Sequence, residues 1–127
     1  QNLMKVEIWG SGKPIRDFLY SDDFAESAVF VLESVNFEDL LVNKKRIINT
    51  HINIGTGIGV SIKELALIIK KAVDYKGEFI FNTSKPDGTM LKVIDVKKIN
   101  LLGWKYKVNL EDGIDLLYNW YLEKINT

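Results

Sequence analysis

The segment Ser61-Ile62-Lys63-Glu64 places a hydroxyl at a helix start and a carboxylate at the third helical position, so each side chain satisfies a backbone amide of the other. Behind this capping box, Ile62, Leu65, Ala66, Ile69 and Val73 recur at helical spacing, with Lys63, Lys70 and Lys71 off the stripe. An amphipathic helix at this point is therefore expected. Upstream, Met4 to Trp9 alternates with period two, which is the pattern of a half-buried strand. Met4, Val6 and Ile8 share one face, and Trp9 falls with Lys5 and Glu7 on the other. Helical and strand periods in one chain of 127 residues point to a single mixed α/β domain.

The remaining elements follow from turn and cap chemistry. Gly10-Ser11-Gly12-Lys13-Pro14 ends the first strand, and Ile15 to Tyr20 reads as a second extended piece. Ser21, Asp22 and Asp23 are candidate caps for a helix with Phe24, Ala25, Ala28, Val29 and Leu32 as its apolar stripe. Leu40, Leu41 and Val42 read as a short helix, and Asn43 to Arg46 as a solvated loop. Thr50 to Ile54 reads as a strand closed by Gly55-Thr56-Gly57-Ile58-Gly59, and Glu78 to Asn82 as another with Phe79 and Phe81 on one face. Asp95 is placed to cap a short helix through Leu102, stopped by Gly103. Asn109 is placed to cap the last helix, with Leu110, Ile114, Leu117 and Tyr121 as its buried face. The three tryptophans, with Phe79 and Phe81, are expected mostly in the core, Trp104 as a packing anchor.

Composition removes whole classes of function. Lys plus Arg and Asp plus Glu each number 17, which argues against a nucleic-acid or anionic-membrane face as the main purpose. There is no cysteine and a single histidine, His51, so thiolate chemistry and a histidine-rich metal cluster are both excluded. No apolar run has the length of a membrane span. The Gly55 to Gly59 turn lies between a strand and a helix, but its spacing is not that of a dinucleotide loop, so a structural turn is expected. Asp22 and Asp23 are expected as caps rather than acid/base groups, and His51 as structural, since no carboxylate or nucleophile stands beside it in sequence. The start at Gln1, directly ahead of a strand pattern, reads as a boundary inside a longer chain.

Three segments carry a family resemblance: Trp9-Gly10-Ser11-Gly12-Lys13-Pro14-Ile15-Arg16-Asp17-Phe18, Ser21-Asp22-Asp23-Phe24-Ala25 and His51-Ile52-Asn53-Ile54-Gly55-Thr56-Gly57. They are similar to the C-terminal half of the extended short-chain dehydrogenase/reductases that act on nucleotide sugars. Ser84-Lys85-Pro86-Asp87-Gly88-Thr89, then Lys92 and Asp95, then Leu102-Gly103-Trp104, resemble the GDP-L-fucose synthases within that group. The resemblance runs from Val6 to Glu123 and departs at Met90-Leu91, where many relatives have Pro-Arg. It implies a C-terminal substrate-binding domain lacking most of the Rossmann half. It also implies a parent that converts GDP-4-keto-6-deoxy-D-mannose to GDP-L-fucose by epimerisation and NADPH reduction; the alternatives are the C-terminal domain of another NAD(P)-dependent nucleotide-sugar epimerase or dehydratase, and a stand-alone non-catalytic binding module.

The same resemblance implies which residues meet the GDP-sugar: Trp9, Arg16, Asp87 and Lys92. Arg16, one of two arginines, has the forked, permanently charged donors a diphosphate wants. Trp9, on the polar strand face, is free to stack on a base or ribose, and Asp87 is an acceptor for ribose or guanine donors. The family's catalytic Ser-Tyr-Lys group, its acid/base Cys and His, and its NADP loop lie N-terminal to the matching segment. No catalytic, NADP-binding or metal-binding residue is therefore assigned here, and the chain alone is expected to be inactive. The parent is expected to be a cytoplasmic homodimer joined through its N-terminal half. Separation from that half is expected to expose apolar surface between Ile15 and Val35.

Overall fold

The computed structural model describes residues 4–41 and 47–125. Val42 and the loop Asn43 to Arg46 lie outside the described residues. Strand β1 (Lys5–Trp9) pairs in parallel with β4 (Glu78–Asn82), Trp9 opposite Asn82. A second, three-stranded sheet has β2 (Ile15–Arg16) at its centre. There β2 runs antiparallel to β3 (Val60–Ser61) and parallel to β5 (Leu91–Lys92). Helices α1 (Ser21–Ser34), α2 (Ile62–Ala72), α3 (Lys97–Leu102) and α4 (Leu110–Ile125) surround these strands, with a 3-10 turn at Phe37–Leu40. The expected mixed α/β class holds.

Helix α2 starts as its sequence dictates. Ser61 Oγ accepts from the Glu64 amide at 3.1 Å, and Glu64 Oε2 accepts from the Ser61 amide at 2.9 Å. The Ser61 hydroxyl, then its amide, hold the Glu64 carboxyl below its ordinary pKa. Ile62, Leu65, Ala66 and Val73 are half-buried, whereas Ile69 is exposed. Gly103 stops α3 with φ of 110°, a left-handed conformation that glycine adopts without Cβ strain. Asn109 Oδ1 caps α4 by accepting from the Asp112 amide at 2.9 Å. The core is small: Ile99 and Trp104 are the buried large apolar residues among those described.

Several expectations fail. Ile15 to Tyr20 is a strand only over its first two residues, because Asp17 leaves the ladder to bind the turn at Thr56 and Gly57. Thr50 to Ile54 pairs with no strand among the described residues, although exposed His51 and Asn53 still alternate with half-buried Ile52 and Ile54. The Asn49 and His51 carbonyls accept instead from Lys98 Nζ. On α4, Tyr118 and Leu122 are half-buried where Leu117 and Tyr121 were expected; those two are exposed, as is Trp120. The inward row runs Leu110, Ile114, Tyr118, Leu122, an unbroken i,i+4 ridge.

Helix α1 inverts the usual arrangement. Its N-cap position is Tyr20, with no side-chain cap, because Asp23 turns inward. Asp23 is only 3% exposed, and its Oδ2 accepts from the Lys107 and Val108 amides at 3.0 and 2.9 Å. Ser27 is fully buried and donates to the Phe24 carbonyl at 2.6 Å. The apolar stripe of Phe24, Ala25, Ala28, Val29 and Leu32 faces out, Leu32 at 85% exposure. The periodicity marks an apolar stripe, but among the described residues nothing buries it, and Asp23 and Ser27 take the inward face instead.

Candidate functional site

Parallel pairing sets the geometry of the site. Because β1 and β4 run the same way, their C-terminal ends are adjacent, and the connections that leave them run side by side. The first, Gly10 to Pro14, leads into β2; the second, residues 83–90, leads into β5, which is again parallel to β2. Trp9, Arg16 and Lys92 are each the last residue of a strand, and Asp87 lies in the second connection. Ligand sites favour the carboxyl ends of parallel strands, where loops diverge from a fixed base.

Asp87 ties the two connections together. Its Oδ1 accepts from the Ser11 amide at 2.7 Å and its Oδ2 from the Ser11 hydroxyl at 2.6 Å. The Ser11 hydroxyl, then its amide, lower the Asp87 pKa, and Lys13 adds a smaller electrostatic effect in the same direction. Gly10, at φ of 86°, is required here, since a Cβ would run into Asp87 Oδ1. Two lone-pair positions of the carboxylate remain for a ligand, so Asp87 anchors the loop first and is a possible acceptor second.

The other sequence-predicted residues sit around this clamp. Arg16 Nη1 donates to the Ile15 carbonyl at 2.8 Å, and Nη2 lies beside Gly88, next to Asp87. Lys92 is in register with Arg16, so the two side chains leave the same face of the sheet. Trp9 is 70% exposed, and Lys85 Nζ stands 5.2 Å from its ring centroid. Among the described residues, Lys13, Arg16, Lys85 and Lys92 have no carboxylate within salt-bridge reach. Cations without a salt-bridge partner, one of them over a flat exposed ring, suit an anionic, aromatic ligand.

The backbone thus brings the four predicted residues to adjoining strand ends and loops, an open ledge rather than a cavity. A hollow of about 230 Å³ lies among Phe18, Ile58, Val60, Ile68, Tyr106 and Leu110, and a wider one of about 460 Å³ beside His51, Asp95 and Lys98. Neither is lined by Trp9, Arg16, Asp87 or Lys92. Sequence reasoning missed Ser11 and Lys85 as members of the site, and Asp17 as the clamp of the second glycine turn. Asp17 accepts from the Thr56 amide and hydroxyl at 3.0 and 2.5 Å and from the Gly57 amide at 2.9 Å. Those amides are engaged by an internal carboxylate, which bears out the structural reading of this turn and fits no dinucleotide phosphate there. No group of three or more metal-ligating side chains occurs among the described residues.

Residues 1–55 match the model of the NAD dependent epimerase/dehydratase family. GDP-L-fucose synthase of Escherichia coli is 45% identical over 123 residues, which are 97% of this chain and 38% of that protein. Over residues 1–55 the chain is thus similar to this epimerase/dehydratase family, and over nearly its whole length to part of a GDP-L-fucose synthase. Among solved structures, a GDP-6-OMe-4-keto-L-xylo-heptose reductase from Campylobacter jejuni superposes with a TM-score of 0.89 at 50% identity, covering 94% of this chain and 34% of that one. A GDP-mannoheptose C4 reductase from the same organism, with NADP bound, gives 0.81 at 49% identity over 93% of this chain and 35% of that one. The chain thus spans little more than a third of the length of these relatives. Its fold is that of a part of an extended short-chain dehydrogenase/reductase.

Proposed function

We propose that residues 1–127 form the single C-terminal GDP-sugar-binding domain of an enzyme like the GDP-L-fucose synthases. The observation that carries this reading is the convergence of Trp9, Arg16, the Asp87 loop and Lys92 at the ends of parallel strands. Trp9 offers a face to the base or ribose. Arg16 and Lys92, both cationic on one sheet face, take the diphosphate, and Asp87 holds the loop that brings them together. In the parent, epimerisation of GDP-4-keto-6-deoxy-D-mannose at two carbons would precede reduction of its ketone by NADPH. The catalytic group and the NADP site would lie in the Rossmann half, so this chain orients substrate and does not turn it over. The open ledge and the outward stripe of α1 both fit a partner half that completes the pocket and covers the helix. Such a parent would work in the cytoplasm as a homodimer joined through its other half.

A second reading is favoured by the higher identity to the two heptose reductases: a GDP-heptose ketone reductase that uses the same ledge for the same GDP. Steady-state assays of the full-length parent with GDP-4-keto-6-deoxy-D-mannose and a GDP-4-keto-heptose separate the two by their kcat/KM. Competition by GDP, UDP and dTDP tests the ledge itself, and equal inhibition by all three would remove the GDP assignment.

A further inference from the structure

Lys85 holds a position for which the four-residue site gives no reason. Its ammonium covers the ring of Trp9, the face a base would use. Its backbone is fixed on both sides, by its own amide donating to the Asn82 carbonyl at 3.1 Å and by the Ser11–Asp87 clamp two residues on. The side chain itself is exposed, has a flexible four-carbon stem, and has no carboxylate partner among the described residues. A cation over an exposed indole is weakly held. A stacked base is held more firmly on such a ring, and an ammonium gains more from a phosphate than from a π-face.

We propose that Lys85 is an exchanging ligand contact: a nucleobase takes the Trp9 face that Lys85 covers, and the displaced ammonium moves to the diphosphate near Lys13 and Arg16. The inference rests on the reading of Trp9 as a stacking platform and adds a consequence of opposite sign for charged and uncharged ligands. With a diphosphate present, Lys85 gives up a weak contact and gains a stronger one. With a bare nucleoside it gives up the ring and gains nothing, so it acts as a competitor. The exchange makes the ledge selective for nucleotides over nucleosides.

The test is an NMR titration of the full-length parent with GDP and with guanosine, into the millimolar range, followed at the Trp9 indole N–H. That resonance is assigned with Trp9→Phe, and Lys124→Gln on α4 serves as a charge control. Lys85→Gln is expected to raise the Kd for GDP about fivefold and to lower that for guanosine about twofold. If both constants move in the same direction, or neither moves, while the wild type responds, the Lys85 proposal is overturned and the platform stands. If neither ligand shifts Trp9 in the wild type, the platform reading is refuted, and the Lys85 proposal falls with it.

Discussion

Ser11 donates twice to Asp87, through its amide at 2.7 Å and its hydroxyl at 2.6 Å, and so joins two connections 76 residues apart in sequence. The charged carboxylate is the better acceptor, so the clamp lowers the Asp87 pKa from its usual 3.8. A group lowered on folding adds stability that is fully present above the usual value and is lost as pH falls through the lowered one. The Asp87 carboxyl resonance is therefore expected to titrate at lower pH in the wild type than in Ser11→Ala. Coincident titration curves would refute the clamp.

Arg16→Ala in the full-length parent is expected to raise KM for the GDP-sugar by about tenfold or more, since a charged forked donor to phosphate is lost. Affinity for NADPH should stay near its wild-type value. Arg16→Lys should recover only part of the loss, because a point charge replaces a fork. Steady-state kinetics with each substrate varied in turn gives both constants, and an unchanged KM in Arg16→Ala would take Arg16 out of the site.

Asp17 is a structural residue, so its removal should act on stability. Asp17→Ala leaves the Thr56 and Gly57 amides without their acceptor and is expected to cost about 2–3 kcal/mol. Asp17→Asn keeps an acceptor oxygen and should cost less. Urea unfolding followed by circular dichroism measures both, and a loss below ~0.5 kcal/mol in Asp17→Ala would show that water replaces the clamp.

The outward stripe of α1 yields a paired prediction. Val29→Glu with Leu32→Glu should leave the isolated chain folded, because both residues are exposed, and should reduce its self-association. In the full-length parent the same pair should destabilise by about 3 kcal/mol or more, through burial of charge against an apolar neighbour. Sedimentation velocity on the fragment and thermal unfolding of the parent check the two halves. Equal tolerance in both proteins would mean that nothing covers the stripe.

What was legible in the sequence was local. The capping box at Ser61 and Glu64, the Asn109 cap and the Gly103 stop depend on neighbours within a few residues, and all three are found as read. The pairing of Phe79 with Phe81 on one strand face holds for the same reason. What failed needed knowledge of a distant partner. Asp23 looked like a cap until the Lys107 and Val108 amides, more than 80 residues away, were placed beside it. Thr50 to Ile54 carries a strand pattern, yet a strand exists only where another lies alongside. In the site, the resemblance supplied Trp9, Arg16, Asp87 and Lys92, while the contacts of Ser11 and Lys85 are set by two loops meeting in space.

Helix α1 carries a lesson for anyone surveying mutations in this chain. Phe24, Ala25, Ala28, Val29 and Leu32 would score as freely replaceable in a screen for survival of the isolated fragment, since water already surrounds them. Scored in an intact enzyme, the same five codons should rank among the least forgiving. A tolerance map is thus a property of the assembly in which it is measured, and a gap between two such maps would trace the outline of whatever covers α1.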